Sequence, residues 1–236
     1  MLPTLETTLG DVHVVVSLYG MAVMLAVGAG MFLAARCARR PDVVLVAAPL
    51  VAAAGIWGAA AFYRLLHGAA GLASMGGIAA GLATIGLAAR LAGVRAIDLL
   101  DAFAPGAVLG FGVGRLGCFL AGCCFGRPTD LPWGIVLPEL GPPARHPVQL
   151  YAACADLALA AWLAGAPGPS GRTACRAMVG YGVVRFVVET LRDPAATDRL
   201  GAWGLTVPQA CAVVLALAGI VLGRRGVAGT RGALVP

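Results

Sequence analysis

Seven long apolar runs follow one another along the chain, and few folds are open to such a sequence. They are Val14–Ala35, Val43–Tyr63, Ala69–Ala89, Ile97–Leu120, Val148–Gly165, Ala177–Leu191 and Thr206–Gly223. A helix needs about 20 apolar residues to cross a bilayer. In lipid, every backbone N–H and C=O must find its partner within the protein, which selects helices for segments of this kind. The expected fold class is therefore all-α: a polytopic integral membrane protein with seven transmembrane helices. It forms a single domain over residues 1–236, with a short outer-face loop at about 122–147. Only 12% of the residues are charged, roughly half the share of a soluble domain, so a pair of soluble domains is excluded. Residues 1–13 hold Glu6 and Asp11 but no basic residue, and no secretory signal peptide is expected.

The arginines orient the bundle. All seventeen basic residues are arginine. With the N-terminus outside, the cytoplasmic loops hold Arg36, Arg39, Arg40, Arg90, Arg95, Arg172, Arg176, Arg224, Arg225 and Arg231. The opposite orientation would put all ten outside, against the positive-inside rule. The C-terminus is then cytoplasmic. No basic block is present, so nucleic acid is not an expected partner.

Topology leaves Arg64, Arg115, Arg127, Arg145, Arg185, Arg192 and Arg199 unexplained. A charge at the bilayer centre costs about 2.5–3.5 kcal/mol even on lenient scales. Arg115 lies in GFGVGRLGCFLAGCCFGRPT, residues 110–129. Its GxGxG is not a nucleotide loop, because no strand precedes it. Gly106, Gly110 and Gly114 instead form a small-residue stripe for close helix packing, as do Gly77 and Gly81. In YGVVRFVVETLRDP, Tyr181, Arg185, Glu189 and Arg192 recur at steps of four, four and three and share one helical face. A structural ion pair between Arg185 and Glu189 is the plain alternative to function.

Arg145-His146-Pro147 opens the fifth run. His146 and Gln149 lie one turn apart and can both face the bundle, and Tyr151 can serve as a belt residue. Asp101 reads as a packing or capping acid and Asp98 as solvated. His13 and His67 read as interfacial. Cys118, Cys123 and Cys124 with His146 could be drawn as a Cys₃His site, but the spacing is not that of a zinc motif. No metal and no cofactor are expected. Taken together, two arginines on different helices at similar depth form a site for a phosphate-bearing lipid headgroup.

At these residues the chain resembles the prolipoprotein diacylglyceryl transferase family. The resemblance is carried by Ser17-Leu18-Tyr19-Gly20, Ala73-Ser74-Met75-Gly76-Gly77, Asp101 to Pro105 and Gly112-Val113-Gly114-Arg115-Leu116-Gly117. It continues in Arg145-His146-Pro147 with Gln149-Leu150-Tyr151, and in Gly180-Tyr181-Gly182 through Arg185, Glu189 and Arg192. It implies a multi-pass protein of the bacterial inner membrane. It also implies transfer of a diacylglyceryl group from phosphatidylglycerol to the lipobox cysteine of a preprolipoprotein, with a thioether formed and glycerol phosphate released. Phosphatidylglycerol, preprolipoprotein signal peptides and membrane lipids are the implied partners. Arg115 and Arg185 would hold the phosphate, and Glu189 would position Arg185. Tyr19 and Tyr181 would bind the headgroup, with Gly114, Gln149, Tyr151 and Arg192 completing the substrate site.

The chain departs from the family pattern at several positions. The histidine before the Gly-Gly of the third helix is Met75 or Gly76. The second-helix arginine falls in Ala59-Ala60-Ala61, the asparagine after Arg-Leu-Gly is Cys118, and the acid after Leu-Tyr is Ala152. His146 is then the remaining outer-face base. Two other readings stand beside the transferase. One is a non-catalytic phospholipid- or substrate-binding protein on the same fold. The other is a thiol-redox membrane enzyme using Cys118, Cys123 and Cys124.

Overall fold

The computed structural model describes residues 4–9, 12–68, 74–138, 140–193 and 204–231. Ala69–Ala73, which begin the third apolar run, and Arg199 lie outside the described residues. The helices are α1 (Leu18–Cys37), α2 (Pro41–His67), α3 (Ser74–Leu91), α4 (Ala96–Leu120), α5 (Val148–Gly165), α6 (Arg172–Thr190) and α7 (Val207–Arg231). Each overlaps one of the apolar runs. Among the described residues, α1, α2, α4, α5 and α7 are long and apolar enough to cross a membrane. The apolar part of α3, Gly76–Leu91, is shorter, and α6 carries Arg172, Arg176, Arg185 and Glu189. Large apolar side chains such as Met24, Phe32, Trp57 and Leu65 point outward from α1 and α2. That is the surface of a polytopic membrane protein, whose outer shell is solvated by lipid rather than water.

Two strand pairs qualify the all-α expectation. β1 (Thr4–Leu9) pairs antiparallel with β2 (Val12–Ser17), with Thr4 opposite Ser17 and Leu9 opposite Val12. The first apolar run was expected to be helical from Val14, but Val14 to Val16 lie in β2. These residues are β-branched and favour a strand. Ser17 then ends the strand and starts α1, its hydroxyl accepting the Gly20 N–H at 3.2 Å. In the outer-face loop, β3 (Ile135–Leu137) pairs antiparallel with β4 (Gly141–Arg145).

The start of α6 also differs from expectation. The helix begins at Arg172 rather than Ala177, so Arg172 and Arg176 lie in its first turns and not in a loop. Asp101 of α4 explains the early start. Its carboxylate accepts the N–H groups of Gly171 and Ala174 at 2.6 and 2.7 Å. Those donors belong to a helix N-terminus and have no partner within the helix. Asp101 is thus the capping acid the sequence suggested, acting on a helix 70 residues further along. Asp98 binds Arg95 and the Ser170 hydroxyl at the same end of the bundle.

Helix α4 packs against α1, α5 and α6. Gly106 and Gly30 press backbone against backbone: a Cβ on Gly106 would lie 2.2 Å from the Gly30 carbonyl oxygen. Gly110 meets the Ala26 carbonyl in the same way, at 3.3 Å. The third glycine of the stripe, Gly114, has no atom of the described residues within 4 Å of the place a Cβ would occupy. The stripe therefore seats α4 on α1 at two points and opens at the third, next to Arg115. Gly58 and Gly76 join α2 to α3. Val108, Ala160, Leu163 and Ala177 fill the space between α4, α5 and α6.

Candidate active site

The site is built from three helices. On α4, Phe111, Arg115 and Cys118 lie at steps of four and three and share a face. On α6, Tyr181, Arg185 and Glu189 share another. The Phe111 and Tyr181 rings stack with centroids 4.8 Å apart and planes at 27°, which registers the two faces. Arg115 then has Tyr181, Cys118, Cys124 and Asp156 as electrostatic neighbours, and the Tyr181 hydroxyl is within its hydrogen-bonding reach. Arg185 neighbours Arg115, Glu189, Tyr181 and Arg192. Two guanidinium groups from different helices are thus electrostatic neighbours around a buried tyrosine.

Glu189 balances this charge. Its side chain is 0% exposed, and it pairs with Arg185 Nη1 at 2.9 Å through Oε2 and with Arg192 Nη1 at 3.2 Å through Oε1. The first contact is an ion pair without the alignment of a hydrogen bond, and among the described residues Arg185 Nη1 has no hydrogen-bond acceptor.

Asp156 of α5 is the residue sequence reasoning missed. It is 2% exposed and packs against Gly112 of α4, whose missing Cβ would come within 3.2 Å of the Asp156 Cβ. Arg115 and Arg185 are its charged neighbours, and its Oδ1 accepts no hydrogen bond among the described residues. The signal was an acid in a run of alanines, seven residues after Gln149 and therefore on the same helical face.

The outer-face loop closes over this end of the bundle. Arg145 Nη1 donates to Asp193 and, at 3.3 Å, to the Gly126 carbonyl, and its guanidinium lies over the Phe125 ring. Arg127 donates to the Thr190 carbonyl at the end of α6. Gln149 is buried, and its Nε2 donates to the Cys123 carbonyl at 2.6 Å. His146 Nδ1 lies 3.4 Å from the Tyr151 hydroxyl, which also accepts from Trp133 Nε1 at 2.8 Å. The structure therefore gathers Arg115, Tyr181, Arg185, Glu189 and Arg192 into one cluster. Tyr19 neighbours that cluster electrostatically through Arg115, Cys118 of α4 and the loop residues Cys123 and Cys124. His146, Gln149 and Tyr151 form the covering layer at the loop, and Gly114 leaves open space on α4.

An arginine pair inside a helical bundle with several membrane-length apolar helices, beside buried carboxylates and roofed by a loop, defines a polytopic membrane protein with a charged cluster in its interior. The prolipoprotein diacylglyceryl transferase family model matches residues 8–224, and the chain belongs to this family. It is 33% identical over 231 residues to the phosphatidylglycerol–prolipoprotein diacylglyceryl transferase of Methylococcus capsulatus, covering 86% of this chain and 88% of that protein. It is 38% identical to the enzyme of the same name from Bordetella avium over 157 residues, 64% of this chain and 60% of that protein. The Pseudomonas paraeruginosa enzyme of that name is 31% identical over 230 residues, 86% of each chain.

Proposed function

We infer that the chain transfers the diacylglyceryl group of phosphatidylglycerol to the lipobox cysteine of a preprolipoprotein signal peptide, the first step of bacterial lipoprotein maturation. The observation that carries this reading is the convergence of Arg115 and Arg185 beside Tyr181, with Glu189 buried behind them. The substrate sulfur forms a bond to the glyceryl carbon. The bond from that carbon to the phosphate oxygen breaks, and glycerol phosphate leaves with the electron pair. The guanidinium groups hold the phosphate and stabilise the charge that grows on it. Tyr19 and Tyr181 orient the headgroup, Arg192 supports Glu189, and Gly114 leaves room for the substrate.

The thiol, with a free pKa of about 8.5, must lose its proton to a base. We favour Asp156 Oδ1 as that base, because it lies beside both arginines and accepts no hydrogen bond among the described residues; His146 at the outer-face loop is the alternative. The chain crosses the inner membrane seven times with its N-terminus outside. The ten arginines assigned to cytoplasmic positions support that orientation, and the internal pairing of Arg185 with Glu189 lowers the cost of placing α6 in lipid.

The reading is tested by giving purified protein phosphatidylglycerol and a lipobox peptide and following the peptide's mass. A gain of one diacylglyceryl group that Arg115→Ala abolishes is the expected result. Phosphatidylglycerol bound without transfer would instead support the non-catalytic reading, with the departures at Met75, Gly76 and Cys118 as its basis.

A further inference from the structure

The end of α4 builds a feature that phosphate binding does not use. The helix closes with the Cys123 N–H bonded to the Cys118 carbonyl at 3.1 Å and the Gly122 N–H bonded to the Phe119 carbonyl at 3.1 Å. Gly122 takes a left-handed φ of 69°. This is a Schellman ending, which brings the residue after the glycine back over the last helical turn. Where that contact is usually apolar, here it joins Cys123 to Cys118. Cys124 follows with a φ of 59°, a conformation uncommon for a residue with a Cβ, and it returns a third sulfur to the same place. Gln149 fixes the turn from α5 through its 2.6 Å bond to the Cys123 carbonyl. All three sulfurs lie within 4.8 Å of one another.

We propose that Cys118, Cys123 and Cys124 form a three-thiolate site for a thiophilic divalent cation of the zinc class. A zinc ion binds sulfur at about 2.3 Å in tetrahedral geometry, which sets two of its sulfurs about 3.8 Å apart. The three sulfurs already lie close to that spacing. Three thiolates and a divalent ion carry one net negative charge, and Arg115 and Arg192 stand nearby to balance it. The C-terminus of α4 also favours a cation through its backbone dipole. Three protein sulfurs leave the fourth tetrahedral position to an incoming ligand, as in metal sites that bind a reactant rather than serve structure alone, and the exposure of Cys123 gives such a ligand a way in. The ligand class such an ion prefers is a further thiolate. The site does not depend on the transferase reading, because metal uptake is measured without lipid or peptide.

The test uses full-length protein purified in detergent under thiol-free reductant and loaded with cobalt(II) or zinc alone. The expected result is one metal per chain, with thiolate-to-cobalt charge-transfer absorption that shifts when a small thiol is added. Bound zinc should protect Cys118, Cys123 and Cys124 from alkylation while exposed Cys154 still reacts, as peptide mass spectrometry would show. This protection assay needs no variant and so is unaffected by misfolding. Cys123→Ser together with Cys124→Ser should abolish uptake, and Cys154→Ser should not. The proposal is overturned by substoichiometric binding to the reduced protein, by uptake that survives the double substitution, or by equal alkylation with and without zinc. A spectrum unmoved by the added thiol would overturn the open fourth position.

Discussion

Arg185 Nη1 lies 2.9 Å from Glu189 Oε2, one helical turn away on α6, and the carboxylate it faces is wholly removed from solvent. Breaking a buried pair by removing one partner leaves the other charge uncompensated, at about 3–5 kcal/mol. Glu189→Gln should therefore lower the unfolding midpoint in detergent and also reduce transfer, since Arg185 and Arg192 lose their common anchor. An unchanged midpoint would show that the pair contributes no net stability.

Periodicity alone exposed this half of the site. Tyr181, Arg185, Glu189 and Arg192 are polar groups at helical spacing in an apolar run, and an arginine in lipid stands out. The loop was less legible. Arg145 finds Asp193 and Arg127 finds Thr190 across long stretches of chain, and no local pattern encodes such pairings. The β3–β4 pair was hidden because Pro142 and Pro143 in β4 read as loop. Asp156 went unnoticed for a different reason: with Ala153 and Ala155 on either side of Cys154, it looked like one acid near a helix face, and its importance comes from arginines on two other helices.

Arg115→Lys keeps the charge but loses the planar fork that matches two phosphate oxygens. Transfer should fall on the order of 10²-fold, the scale of losing one oriented donor to a developing oxyanion, while the protein still purifies with a normal unfolding profile. Peptide mass measured over time reads the rate directly. Equal rates for lysine and arginine would mean the site needs only a point charge.

Asp156→Asn and His146→Gln separate the two bases. If Asp156 takes the thiol proton, Asp156→Asn should slow transfer by roughly 10²–10⁴-fold, the usual contribution of a positioned base. Phosphatidylglycerol binding should persist or tighten, because a negative charge beside the phosphate has gone. His146→Gln should then retain most of the activity. The reverse ranking would assign the proton to the outer-face loop.

Gly106→Ala tests the α1–α4 contact. The new methyl would start 2.2 Å from the Gly30 carbonyl oxygen, a backbone atom that cannot rotate aside. Overpacking of this kind costs about 1–3 kcal/mol, to be read as a lower unfolding midpoint. Gly114→Ala meets open space and should leave the midpoint near that of the unaltered protein, so any loss of transfer there reports on substrate room instead.

The Asp101 clamp has a geometric consequence. One carboxylate on α4 fixes the first turn of α6, so both helices are measured from a common origin. Arg115 lies 14 residues beyond Asp101, about 21 Å along its axis, and Arg185 lies 11 residues beyond Ala174, about 16 Å along the other. By this count the Cα atoms of the two arginines sit a few ångströms apart in level along the bundle, a gap their long side chains can bridge. A single residue inserted into either stretch would shift one arginine by about 1.5 Å and swing it by about 100°. The clamp acts as the zero mark of a ruler, and the distance between the two arginines is written in the number of residues counted from it.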